Sequence, residues 1–461
     1  MRKIKYTLGV LALALMLTTQ SCEDKLEILP NSSLLTETAF RNVDDLQNAL
    51  NSAYLNYNNT TVAFNSIFTD NTRIGIDNGG QQVPLLSLVM NPNNGTAANL
   101  WISRYTMINH ATRLIEASDL VDKTGRQAEV NHILGQAYAL RAFAHFELFQ
   151  YFTPDYLDRT GLSVPAVDQV ITVEDLPRNT VEEVDTLIES DLAKALPLLD
   201  ASETNVEFIT TDFITALKAR KALFMGDYPT ALTEADKLIA KYPLANPLEY
   251  RLMYTDQDNT EVIFKAARVL GNARPGNIWH FGSGNPFLEM SAGLQSILED
   301  GDIRSAVLFN DERISEDVFL INKYPFNVAF PFLLDVKVFR VSEMYLIKAE
   351  AELRANRFED SRGTLKLLKD ARFGSSQPAF TYTSLADGLE AIVKERRLEL
   401  AYEGHRWTTL KRLGLDLIRE ASDCAPLDNA CQLLNNDRRF TLPIPAGEIA
   451  ANPLMVQNPG Y

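Results

Sequence analysis

Histidine and cysteine are scarce in this chain. Five His and three Cys occur in 461 residues. They form no cluster at metal-ligand spacing, which argues against a zinc site. No nucleophile elbow, phosphate-binding glycine loop or other metal-binding pattern is present, so no cofactor, metal or catalytic residue is expected. Positive charge is also short: 44 Lys and Arg stand against 60 Asp and Glu, a formal net charge of −16. A chain this acidic is a poor partner for nucleic acid or an anionic lipid surface, because like charges repel. Long apolar runs are missing too. The one near the start, Leu8 to Leu17, is ten residues, whereas a membrane span needs roughly twenty.

What is present begins with that run. Arg2, Lys3 and Lys5 precede it, and Thr18-Thr19-Gln20-Ser21 leads from it into Cys22. This is the three-part layout of a secretory signal. A small residue directly before Cys predicts cleavage there and lipid attachment to Cys22. The alternative is an ordinary secreted protein with an incidental Cys22, since Thr19 stands where a lipoprotein signal prefers Leu. Two or three acyl chains on one Cys are enough for stable anchoring, and the membrane would be met through that lipid alone. Losing residues 1–21 removes three positive charges and no negative ones, moving the net charge from −16 to −19. Cys424 and Cys431, seven apart in an exported chain, are expected to close a small structural disulfide loop; two free buried thiols are the alternative.

Residues 22–35 read as an acidic, polar tether, and 36–461 as a single mostly α-helical domain. Helical patterning covers about 36–57, 100–152, 180–244 and 340–415. The Asn- and Gly-rich stretch 58–99 is expected to be loop, as is the aromatic insertion 250–339 apart from a strand-like run at Glu261-Val-Ile-Phe. The helix from Ala128 to Phe152 is apolar nearly all round, so it belongs between neighbours, with Arg141 and Glu147 as buried paired charges. Two segments repeat one another. Phe213 to Phe224, then Gly226-Asp227-Tyr228, then Ala231 to Ala240 is helix, turn, helix. Met344 to Leu353, then Asn356-Arg357-Phe358, then Ser361 to Ala371 has the same form. Units of this tetratricopeptide-like kind bury their apolar faces only against neighbouring units.

The C-terminal third carries the most specific motifs. Arg340-Val-Ser-Glu343-Met-Tyr345 opens one helix. Glu395-Arg396-Arg397-Leu-Glu399 runs into Tyr402-Glu403-Gly404-His405-Arg406-Trp407. The chain closes on Leu442-Pro443-Ile444-Pro445 and Gln457-Asn458-Pro459-Gly460-Tyr461. Charges at this helical spacing share faces. They read as a structural network rather than as a catalytic set of Glu399, Glu403 and His405. In order and spacing these blocks, with Arg141 to Pro154, resemble the SusD/RagB family of Bacteroidetes outer-membrane lipoproteins. The resemblance implies a tetratricopeptide-like scaffold with a loop-rich irregular lobe and a few short strands. It implies a cell-surface lid over a TonB-dependent, SusC-like barrel, which captures oligosaccharide, or in some members peptide, without chemistry of its own. Glu23 and Asp24 resemble the family's surface-export signal. A surface glycan-active enzyme is the remaining reading.

Sugar rings stack their C–H faces on flat aromatic side chains, and their hydroxyls need amide and charged partners. The candidates are Arg73, Asp77 and Asn78 in the first insertion, and Trp279, His280, Phe281 and Tyr324 in the second. Trp101, which begins a helix, is expected in the core.

Overall fold

The computed structural model describes residues 39–172, 174–280, 286–310, 318–325, 332–427 and 430–461. Cys22, the tether and Phe281 therefore lie outside the described residues. Eleven described helices have eight or more residues: α1 Val43–Leu55, α2 Thr60–Ile67, α3 Gly95–Ala117, α4 Gln127–Phe152, α5 Val181–Ala195, α6 Thr211–Met225, α7 Tyr228–Ile239, α8 Val341–Arg354, α9 Phe358–Phe373, α10 Leu385–Glu399 and α11 Arg406–Leu413. They stack in sequence: α3 packs on α4, α4 on α5, α6 on α7, α7 on α8, and α8 on both α9 and α10. The chain belongs to the mostly helical, tetratricopeptide-like class with an irregular second lobe.

The two repeated segments form hairpins by the same local chemistry. Each turn needs one residue with φ above zero. Gly226 supplies it between α6 and α7 (φ 77°), and Asn356 between α8 and α9 (φ 61°). Both residue types tolerate that conformation. Asp227 then caps α7 by accepting from the Thr230 N–H. Helix α4 is buried along its second half, as its all-round apolarity predicts. Its two charges are paired inside. Arg141 grips Asp191 with two bonds of 2.7 and 2.8 Å, and Glu147 accepts from Arg104 at 2.5 Å. Trp101 is in the core, edge-on to Phe152.

The stretch 58–99 is not simply loop. It holds α2, whose Val62, Phe64 and Ile67 are fully buried. Its polarity misleads because one of its amides works inside the protein. The Asn65 side chain donates to the Tyr151 hydroxyl and accepts from the Trp407 N–H, joining α2 to α4 and α11. The rest of the irregular lobe is built on short antiparallel pairs. Strand β1 (Thr72–Ile74) pairs with β3 (Leu288–Met290), and β2 (Val262–Ala266) with β6 (Val336–Arg340). Strand β4 (Phe309–Asn310) pairs with β5 (Leu320–Ile321), and β7 (Leu417–Ile418) with β8 (Gln432–Leu433). A disulfide joins Cys424 and Cys431, with Cα atoms 5.1 Å apart.

The lobe meets the helices at a buried charge cluster. Arg340, at the end of β6, donates to Glu261 (2.9 Å), Glu399 (2.8 Å) and Glu403 (2.8 Å). Arg372 of α9 bonds Glu261 and Glu399. Lys323 pairs with Glu403 at 2.7 Å, and Arg304 with Asp302 and Glu395. All of these residues are buried. Taking so many charges out of water costs several kcal/mol per ion, offset only when every partner is in place. Burial opposes ionisation of Glu403, but Arg340 and Lys323 outweigh it and hold the carboxyl at about 2. Glu343 is held at about 2 against the same penalty, chiefly by Arg220.

Two outcomes are expected. Arg340→Met leaves three buried carboxylates short of a partner and should cost about 3–5 kcal/mol, read from the urea midpoint; a loss below about 1 kcal/mol would mean the cluster is dispensable. Acid should weaken the fold in two stages, because the unfolded chain binds protons that the folded chain refuses. Burial pushes His405 down to about 3 from 6.5, so its contribution is lost as pH falls below 6.5. The contributions of Glu343 and Glu403 are lost as pH falls below 4.5 towards about 2. Urea midpoints measured from neutral pH down to about pH 2.5 check this, and a flat profile would contradict it.

Candidate ligand-binding face

The two insertions meet. Pairing of β1 with β3 sets Thr72 opposite Met290, Arg73 opposite Glu289 and Ile74 opposite Leu288. Gly75 is required here by close approach: a Cβ on it would sit 2.3 Å from the Pro286 carbonyl oxygen. The Gly75 N–H donates to the Phe287 carbonyl and the Asp77 N–H to that of Pro286, so the pairing continues past the strand. Beyond it the chain turns at Asn78, whose side-chain amide donates to the Phe287 carbonyl (2.7 Å) and to that of Gln81 (2.8 Å). The amide thereby shapes the turn.

At the edge of this face Arg73 is anchored rather than free. It bonds Glu289 at 2.8 Å, and its guanidinium lies 5.0 Å from the Phe319 ring centre. Glu289 is buried and also accepts from the Ile76 N–H at 2.9 Å. Ile76 is 58% exposed and Asp77 is exposed beside it. The result is a planar cation, an exposed carboxylate and an apolar side chain on one short segment. The exposed carboxylate can accept from hydroxyls while the apolar side chain covers a C–H face. Ile76, Glu289 and Phe319 were not among the sequence candidates. Ile76 follows Arg73 by three residues, whereas only the fold brings Glu289 and Phe319, more than two hundred residues away, to Arg73.

Three candidates are placed otherwise. Trp279 is 0% exposed. Its ring stacks on Tyr324 with centres 5.9 Å apart, meets Tyr402 edge-on at 5.2 Å, and donates from Nε1 to the Ser66 hydroxyl. Tyr324 and His280 are buried with it; the His280 ring lies against Phe332, and its Nε2 is 3.2 Å from the Ile321 carbonyl oxygen. No ring face of Trp279 or Tyr324 is open to a sugar in this conformation. The expectation that they stack on ligand is corrected to one of core packing. Three clefts on the described surface are lined by residues other than the candidates. One of about 420 Å³ lies between α3 and the C-terminal segment, lined by Trp101, Tyr105, His110, Glu448 and Met455. A second, of about 280 Å³, is lined by Tyr54, Phe143, Phe208 and Phe264. A third, of about 450 Å³, is polar, with Arg159, Lys221, Asp185 and Glu234.

The face is tied to the helices through the segment just before β1. Asp70 takes Arg406 by two bonds of 2.8 and 2.7 Å and lies 3.3 Å from Arg397. Burial opposes its ionisation, but these two guanidinium groups hold it well below the carboxylate range. The Tyr402 hydroxyl donates to the Asn71 carbonyl at 2.9 Å. Tyr402 has a left-handed φ of 62°, a conformation that costs of order 1–3 kcal/mol for a residue other than glycine.

Glu399, Glu403 and His405 are not exposed as a catalytic set. The first two are buried against Arg372 and Arg340, and His405 is buried with Nδ1 3.8 Å from Glu343. Among the described residues no group of three His, Cys, Asp or Glu is arranged to hold a metal ion.

Comparison with known proteins agrees with this architecture. A family model described as "SusD family" matches residues 334–461, and one described as "Starch-binding associating with outer membrane" matches residues 24–216. A SusD-like protein from Formosa agariphila, P2, is 25% identical over the whole of both chains. The crystal structure of a SusD superfamily protein from Bacteroides thetaiotaomicron superposes with a TM-score of 0.79 at 25% identity, covering 91% of this chain and all of that one. A laminarin-binding SusD-like protein superposes with a TM-score of 0.71 at 21% identity, covering 92% of this chain and all of that one.

If Trp279 is core, Trp279→Ala should lower stability by about 3–5 kcal/mol, read from the urea midpoint. An unchanged midpoint with weakened ligand binding would instead return Trp279 to the surface.

Proposed function

This chain belongs to the SusD/RagB family, and we propose that it is a surface lipoprotein that captures oligosaccharide and hands it to a SusC-like, TonB-dependent barrel. The family is one of carbohydrate-binding proteins associated with the outer membrane. The observation that carries the ligand reading is the joining of the two insertions by β1 and β3. It fixes Arg73, Ile76 and Asp77, neighbours in the first insertion, on a rigid edge of the irregular lobe. Arg73 stiffens this edge through Glu289 and Phe319. A pre-set edge loses little entropy when a ligand arrives.

The protein holds its ligand without altering it. Glycoside hydrolysis needs two carboxyl groups flanking the bond, one of them protonated. On this face Asp77 is exposed, while Glu289 is buried and occupied by Arg73 and the Ile76 N–H. No described helix is long and apolar enough to cross a membrane. Anchoring is assigned to acyl chains on Cys22, placing the domain at the outer membrane and facing outward. Peptide is the second ligand class, since a carboxylate and a guanidinium also suit peptide termini.

Calorimetric titration of the purified protein with laminarin- and starch-derived oligosaccharides, and with a tryptic peptide mixture, tests this. At least one oligosaccharide should bind. Asp77→Ala should weaken that binding by about tenfold, the value of one lost charge-assisted hydrogen bond, with an unchanged melting temperature. Binding of peptide alone would replace the sugar reading, and turnover of the glycan would overturn the non-enzymatic one.

A further inference from the structure

The Glu395-Arg396-Arg397 and His405-Arg406 motifs surround a small cavity that the charge cluster does not use. It is lined by Asn71, Arg396, Arg397, His405, Arg406 and Thr409, together with Leu400. About 10 Å³ is open to the centre of a water-sized sphere, room for about one atom of that size.

The donors facing it exceed the acceptors. Among the described residues Arg396 Nη1, Arg406 Nη1 and Asn71 Nδ2 are buried with no hydrogen-bond acceptor. The other bonds of these groups are made. Arg396 Nε donates to Thr409 Oγ1, Arg406 gives Nε and Nη2 to Asp70, and Asn71 Oδ1 accepts from Arg397 Nε. A guanidinium proton left without an acceptor in the interior costs more than a lost neutral hydrogen bond.

Charge points the same way. Asp70 serves both Arg397 and Arg406. Glu343 is taken by Arg220 at 2.8 and 2.6 Å and reaches Arg396 only at 3.5 Å. Glu350 also acts on Arg396 but is held by Arg412 with bonds of 2.6 and 2.7 Å, so five guanidinium groups share three carboxylates. Asp423, the next carboxylate facing Arg397, is occupied by the Ala292 and Gly293 N–H groups. Burial holds His405 neutral, so it adds no further positive charge. The cavity also lies at the first turn of α11, where the helix dipole adds a partial positive charge, although the Trp407 N–H there is taken by Asn65.

We propose that this cavity binds one monatomic anion, chloride in the natural setting, held by Arg396, Arg406 and Asn71. A sulfate or phosphate is too large for the space. The anion would lie between α10, α11 and the residue that leads into β1, so it would brace the ligand-bearing segment against the helices. This inference stands independently of the carbohydrate reading.

Diffraction from crystals soaked in bromide, recorded at the bromine absorption edge, tests occupancy. A peak within hydrogen-bonding reach of Arg396 Nη1 and Arg406 Nη1 is expected; a cavity without one overturns the proposal. Thermal melting in chloride and in gluconate at equal ionic strength tests its consequence. The melting temperature should rise saturably with chloride, by about 3 °C or more, and equal melting in both salts overturns the proposal. Asn71→Asp supplies a fixed negative charge at the same place. It should melt in gluconate at or above the wild-type value and show no chloride response. A chloride response as large as wild type in a folded Asn71→Asp overturns the site, and should that variant not fold, the bromide peak decides.

Discussion

The buried ion cluster around Arg340 is the joint on which the rest of the molecule hangs. One guanidinium reaches carboxylates from three places: Glu261 at the start of β2, Glu399 at the end of α10, and Glu403 beyond it. Arg372 of α9 binds two of the same three carboxylates. A hydrophobic joint would tolerate small slips between helices and lobe. An interior set of charges does not, because any displacement leaves a desolvated carboxylate without its partner. The cost of burial is thereby converted into a single permitted arrangement. The repeated helical hairpins provide the platform, and β2 with β6 carries the irregular lobe into register with it.

From that joint the same motif reaches outward. Arg397, Tyr402 and Arg406 all close on Asp70 and Asn71, the two residues before β1. Strand β1 in turn positions Arg73 against Glu289. The candidate face is thus three contacts from the core cluster, although its residues lie in a polar, glycine-containing stretch. A candidate edge on such a mount keeps its geometry, and a ligand that used it would meet a reduced ordering cost.

Helical periodicity, the alanine-lined hairpins and the all-round apolarity of α4 were legible in the chain because they are local. So was the pairing of Arg141 and Glu147, since a charge on a helix buried on every side needs a partner. The charged C-terminal motifs could be read as structural for the same reason. The candidate site was harder. Asp77 and Arg73 do lie on an edge where the two insertions meet, but Trp279 and Tyr324 do not lie open beside them. Whether an aromatic in an irregular segment is platform or core depends on what closes over it. Here Ser66, Tyr402 and the Tyr324 ring enclose Trp279, from positions far apart in the chain. Composition misjudged α2 as well, because Asn65 reads as a loop residue until its two interior partners are known.

Native-state hydrogen exchange followed by mass spectrometry tests the joint most directly. If the Arg340 cluster binds lobe and helices into one unit, amides in β2, β6 and the second half of α10 should exchange only through global unfolding. They should then be the slowest in the molecule and share one opening free energy. Exchange of β2 and β6 at a distinctly faster rate than α4 and α8 would contradict the account, because the lobe would then open while the helical stack stayed closed.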